Sequence, residues 1–217
     1  MKAASNAPTP LPATGVLDPV GAPVQGSEEN TSTIVIGSGF SALAVATELN
    51  RQGVKAIVVD SFCALKQHSP APPTTGGISL AALNERSEIL RFLEHYARRH
   101  ELDIRPSTQA LSLTRQQGSL PSNPQWTVHT ATGTLRAHSI VFTRGALNQL
   151  RRLLHSLGVT TATELRTGMH ALGLYLVGVG DLVIPTTAEI LHQAKRAGAS
   201  ISSRAAAREL GQGLAVA

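Results

Sequence analysis

Residues able to do chemistry gather at one place early in the chain. Ile34-Val35-Ile36-Gly37-Ser38-Gly39-Phe40-Ser41-Ala42 fits the pattern G-x-G-x-x-[GA], and an acid, Asp60, stands downstream. The offset from Gly39 to Asp60 is about 20 residues, the spacing of a ribose-binding acid. Each position of such a pattern has a physical task. Gly37 permits a tight turn, Gly39 lets a pyrophosphate approach the backbone, and the small Ala42 allows close helix–strand packing. A helix opening at the motif points its unpaired N–H groups and positive dipole end at the phosphates. A carboxylate at Asp60 can accept hydrogen bonds from both ribose hydroxyls and would repel a 2′-phosphate, which disfavours NADP at this site. The chemistry implied is the binding of an adenine dinucleotide. On these residues alone FAD and NAD both stand.

The elements that must hold these residues are legible around them. Thr33 to Ile36 is a short β-branched run, expected as a buried parallel strand. Ser41 to Arg51 carries apolar residues on one helical face and meets a stop at Gly53, and Lys55 to Val59 reads as a second buried strand ending at Asp60. Together they form a β-α-β unit. Further on, Asn84 is the expected N-cap of a helix Glu85 to His100 that buries Ile89, Phe92, Leu93 and Tyr96. Leu102 to Leu113 reads as extended. Gln125 to Thr130 and Thr134 to Phe142 flank a Thr132-Gly133 hairpin signal. Leu147 to Leu157 is expected as a short basic helix, Leu174 to Val179 as a buried strand, and Thr187 to Leu210 as a long Ala-rich helix interrupted near Gly198. The fold class is therefore α/β, a Rossmann-like parallel sheet with a small β-meander. The expected organisation is a flexible Pro-rich tail at 1–31, a single dinucleotide-binding domain at 32–210 and a C-terminal tail at 211–217.

The totals narrow the function. A hydrophobic content of 42% supports a packed core, and with only 3% aromatics that core must rest on Ala, Val, Leu and Ile. The net charge of +5 comes from scattered Arg pairs without interleaved aromatics, so no nucleic-acid groove is expected. Cys63 is the only cysteine, which excludes an intramolecular disulfide or a Cys-x-x-Cys redox pair. The eight histidines show no paired metal spacing, so no metal is expected. No apolar run follows Lys2, and the apolar stretch Ala171 to Ile184 is broken by Gly173, Gly178, Gly180 and Asp181, so a soluble, cytoplasmic protein is expected. Arg144 could reach a dinucleotide phosphate. His68 and Cys63 read best as a solvated loop histidine and a structural thiol.

The order of segments carries a resemblance. After the fingerprint and Asp60 come His68-Ser69-Pro70, then Arg86 to His100 with its Tyr96-Ala97-Arg98-Arg99-His100 end. Trp126-Thr127-Val128, Gly133 and Val141 to Asn148 follow, and last the Gly173 to Gly178 strand and the Glu189 to Arg204 helix. This resembles the FAD domain of the flavin-containing and Baeyer–Villiger-type monooxygenases, over about residues 32 to 207. The resemblance implies FAD contacts at Gly37, Ser38, Gly39, Phe40, Ser41 and Ala42, and the adenosine ribose at Asp60. It further implies a backbone contact to adenine near Gln109 and Ala110, a glycine turn at Gly145 and a flavin-side loop at Gly180 and Asp181. It implies a flavoprotein oxidoreductase. The family's second glycine fingerprint, for NADPH, has no counterpart: the stretch between Gly145 and Leu174 is shorter than the thirty or so residues of a β-α-β unit. NADPH would therefore act only through an unrecognised site or a partner flavin reductase. The competing expectation is a non-catalytic FAD- or NAD-binding protein that keeps the fold without turnover. A homo-oligomer is the other partner considered, and no membrane association is expected.

Overall fold

A computed structural model of the chain describes residues 27–60, 79–116, 125–143, 146, 150, 168–179 and 185–215. The elements are β1 (Ser27–Ile36), α1 (Phe40–Arg51), β2 (Ala56–Asp60), α2 (Leu80–Arg99), β3 (Asp103–Arg115), β4 (Trp126–Thr130), β5 (Gly133–Thr143), β6 (Leu174–Val177) and a last helix, α3 (Thr187–Ala215).

The strands form one mixed sheet in which two long strands serve twice. β1 lies parallel to β2 and, along its whole length, parallel to β5. β3 runs parallel to β2 through Asp103, Ile104 and Arg105, then pairs antiparallel with β4 through Ala110–Arg115. β5 pairs antiparallel with β4 over Gly133–Ala137, then parallel with β6 over Ile140–Thr143. The result is a parallel sheet β3-β2-β1-β5-β6, from which β3 and β5 extend to make a meander with β4. This is the expected Rossmann-like α/β architecture.

The side-chain period explains the continuous apolar strands. Ile34 and Ile36 of β1 and Ile57 and Val59 of β2 face the meander, packing with Trp126, Val128, Leu135 and Ala137. Val35 and Val58 face the helices, packing with Val45 and Leu49 of α1, Leu93 of α2 and Ile190 and Ile201 of α3. With both faces covered, the central strands need apolar residues at every position. Trp126 is fully buried and donates from Nε1 to the Leu172 carbonyl at 2.9 Å, so the large ring brings no unmet donor into the core.

Several boundaries differ from expectation. β1 begins at Ser27, so residues 27–31 belong to the sheet rather than to the tail; their partner, Gly133–Ala137 of β5, is remote in sequence. α2 begins at Leu80, capped by Ser79, whose side chain accepts from the Ala82 N–H at 3.2 Å; the helix-forming run Leu80-Ala81-Ala82-Leu83 extends it past Asn84. Its buried face is centred on Leu93 and Ala97, which leaves Phe92, 100° round the helix, 73% exposed. α3 passes Gly198 without a break. A Cβ there would stand 2.8 Å from Glu48 Cγ, so Gly198 is the notch where α3 crosses α1. The helix continues to Ala215 and takes in part of the expected C-terminal tail. Most of the expected helix Leu147 to Leu157 lies outside the described residues. No helix among the described residues is long and apolar enough to cross a membrane.

Candidate dinucleotide site

The fingerprint sits at the carboxyl ends of β1 and β2, next to the end of β5. Gly37 donates to the Val59 carbonyl at 2.9 Å, tying the turn to β2. Its backbone has φ 134°, and a Cβ would overlap the Thr143 hydroxyl and stand 2.9 Å from the Thr143 Cβ. Gly37 is therefore required by the close approach of β5 as well as by the turn. Gly39 is different. It has φ 75° and ψ −155°, a combination open essentially to glycine alone, and nothing among the described residues lies within 4 Å of where its Cβ would be. No described residue fills the space in front of this backbone, as close approach by a ligand needs.

α1 begins at Phe40 with Gly39 as its N-cap; no side chain among the described residues caps it and its first turn holds no acid. The first N–H groups of a helix have no intrahelical partner, and together with the dipole they favour an anion. The start of α3 is built the other way. Thr186 and Glu189 form a reciprocal capping box, with Thr186 N donating to Glu189 Oε2 at 2.8 Å and Glu189 N donating to Thr186 Oγ1 at 3.2 Å. Of these two helix starts, the α1 end is left without side-chain caps.

Ser38 and Gly39 are exposed. Phe40, Ser41 and Ala42 are buried. The Phe40 ring lies under the Arg86 guanidinium, 5.1 Å from its centroid, and Ser41 packs against Gly178 just past β6, where an added Cβ would overlap its Oγ. What Phe40 and Ser41 can offer a ligand is therefore backbone N–H. Ala42 is 1% exposed, small at the point where α1 meets the sheet.

A cavity of about 220 Å³ joins the fingerprint to the acid, lined in part by Gly37, Ser38, Gly39, Ala42 and Asp60. Its far wall was not anticipated from sequence: Leu90 and Glu94 come from α2, and Ile104, Arg105 and Pro106 from β3. The Arg105 head is committed elsewhere. It binds Glu29 with two hydrogen bonds, at 2.8 and 3.0 Å, and Asp103 with two more, at 2.8 and 2.6 Å. These bonds, Asp103 first, hold the guanidinium more firmly charged than an ordinary arginine. Asp60 and Glu94 are the carboxylates on this cleft, Glu94 standing 3.8 Å from Arg98 Nη2.

Gln109 lies opposite Asp60 in the β2–β3 register, after a shift in which Arg105 faces Val59. Pro106, Ser107 and Thr108 are the extra residues of that bulge, and a proline is tolerated there because no ladder N–H is needed. The bulge sets the Gln109 backbone beside the acid. Ala110 is fully buried in the meander-side core. Gly145, Gly180 and Asp181, like Arg144, His68 and Cys63, lie outside the described residues. Just past β6, Gln193 of α3 accepts from Gly178 N at 2.8 Å and donates to the Val179 carbonyl at 3.3 Å, holding the exit of the strand.

No protein-family model and no curated protein matches the sequence. Among solved structures the chain is similar to a bacillithiol disulfide reductase from Staphylococcus aureus, at 15% identity and TM-score 0.38 over 54% of this chain and 39% of that one. It is similar to a thioredoxin reductase from T. acidophilum, at 19% identity and TM-score 0.35 over 53% and 35%. It is also similar to an oxidized steroid monooxygenase bound to NADP, at 22% identity and TM-score 0.35 over 52% and 26%. The match spans well under half the length of each of these structures, and the likeness extends no further than α/β architecture.

Proposed function

We propose that the cleft between the fingerprint and Asp60 binds the adenosine-diphosphate part of FAD, and that the chain is a flavoprotein oxidoreductase. One observation carries this reading: a helix start without side-chain cap or acid, an open Gly39 and the ribose-type acid Asp60 border a single cavity. In it, the N–H groups from Ser38 to Ala42 receive the pyrophosphate, Asp60 accepts from the ribose, and the backbone at Gln109 and Ala110 lies toward the adenine. Gly145, Gly180 and Asp181 complete the proposal at the flavin end. Asp60 disfavours a 2′-phosphate at the ribose, so NADP is a poor occupant. The sequence resemblance places FAD ahead of NAD. Bound flavin would supply the redox chemistry; the chain binds it, orients it and keeps water away.

The test is thermal unfolding and visible absorbance with FAD, NAD and NADP in turn. FAD at about 100 times its dissociation constant should stabilise the fold by roughly 2.7 kcal/mol, and the protein should turn yellow. Stabilisation by NAD alone would replace FAD with NAD. No response to either would overturn the reading.

The 30 residues between β5 and β6 hold no second glycine fingerprint for a nicotinamide cofactor, which favours a second reading, a dinucleotide-binding protein without turnover. FAD-loaded protein that oxidises NADPH under air, alone or with a flavin reductase, would remove it.

A further inference from the structure

The other end of β5 holds a cluster that the cleft does not use. His138 is five residues before Thr143, about 16 Å along the strand from the fingerprint. Gly173, just before β6, lies against it: a Cβ there would stand 2.7 Å from the His138 carbonyl oxygen and 3.7 Å from Arg204 Cζ. The missing side chain lets the Arg204 guanidinium lie over this corner of the sheet. Arg204 is fixed there by Nη1 to the His170 carbonyl at 2.5 Å and Nη2 to the Ala171 carbonyl at 2.8 Å. Arg208 follows one turn later on the same face of α3.

Arg105 pairs with Glu29 and Asp103, and Arg136 with Glu28. By contrast, no carboxylate among the described residues pairs with His138, Arg204 or Arg208. Among the described residues, His138 Nδ1 and Arg208 Nη2 are buried with no hydrogen-bond partner. The electrostatics agree. Burial, then Arg208 and Arg204, holds the His138 imidazole below its usual value; burial, then Arg204, lowers that of Arg208. An Arg208 N–H and a His138 ring nitrogen left without a partner among the described residues suit an oxyanion, and a guanidinium fork matches phosphate geometry.

We propose that the corner between β5, β6 and α3 is a second binding site, for a phosphate-type oxyanion, held by Arg208 and His138 beside the fixed Arg204. It does not depend on the FAD reading.

The probe is inorganic phosphate, titrated into the full chain at constant ionic strength set with chloride. The imidazole signals of His138, assigned by their loss in His138→Asn, and the melting temperature are followed together. A saturable shift at His138 with a rise in melting temperature is expected. Arg208→Gln should weaken phosphate at least tenfold while FAD titrates as in the wild type, and Arg208→Lys should fall between. If Arg208→Gln does not fold, His138→Asn takes its place, with a tenfold loss of phosphate affinity expected by calorimetry. No saturable shift at His138, an unchanged affinity in the variant, or an equal response to acetate would overturn the proposal.

Discussion

The Thr143 hydroxyl at the end of β5 occupies the space that a side chain on Gly37 would need. It donates to the Ile36 carbonyl at 3.2 Å, and Thr143 is 2% exposed, so it has nowhere to retreat. Two strands remote in sequence thus meet at the first glycine of the fingerprint. Gly37→Ala should lose about 3 kcal/mol or more, from overpacking and from the strained φ together. The double variant Gly37→Ala/Thr143→Ala should recover part of this, because the overlapping oxygen is gone. Chemical denaturation of the four members of the cycle checks it; strictly additive losses would show that the two residues do not clash.

Gly39→Ala should behave differently. No described residue occupies the Cβ position, so the cost is backbone strain, about 1–3 kcal/mol. Dinucleotide binding should fall far more than stability, since the new methyl group stands where the ligand must approach. Titration of the folded variant with FAD separates the two effects. Unchanged FAD affinity would show that the ligand does not come to this backbone.

Asp60→Asn should weaken FAD by roughly 1.5–3 kcal/mol, the scale of hydrogen bonds to a charged acceptor. It should also narrow the preference for FAD and NAD over NADP, because the acid that disfavours a 2′-phosphate is gone. Competition titrations with the three nucleotides measure both.

His138 gives the fold a pH dependence of definite sign. Its value in the folded protein is held below the ordinary 6.5, chiefly by burial. As pH falls below 6.5 the unfolded chain takes up a proton that the folded one refuses, so stability declines until the folded imidazole titrates in turn. Stability in denaturant should therefore drop from pH 7 toward pH 5, and His138→Asn should flatten that part of the profile. Saturating phosphate should lessen the decline, since an anion favours the protonated ring.

The local parts of this protein can be read directly from sequence. The run Thr33 to Ile36, the glycines, the helix to Arg51 and the acid at Asp60 signal one another over a short span, because turn geometry, helix period and strand burial are local constraints. The Thr132-Gly133 hairpin was legible for the same reason. What failed was non-local. Phe92 reads as core by composition, yet the face of α2 that packs is set by α1 and β2. Residues 27–31 read as tail because their partner strand is a hundred residues away. Arg105 and Glu94 carry no motif, and only the bulge at Pro106 and the placement of α2 bring them to the cleft.

The sequence by itself determined a β-α-β unit with a glycine turn and an acid fit for an adenine dinucleotide. Only the tertiary structure decided why Gly37 must be glycine, which helix start stays without side-chain caps, and that His138, Arg204 and Arg208 share a corner. The physical reason is that propensity and spacing act between near neighbours in the chain. Steric exclusion, charge pairing and desolvation act between neighbours in space.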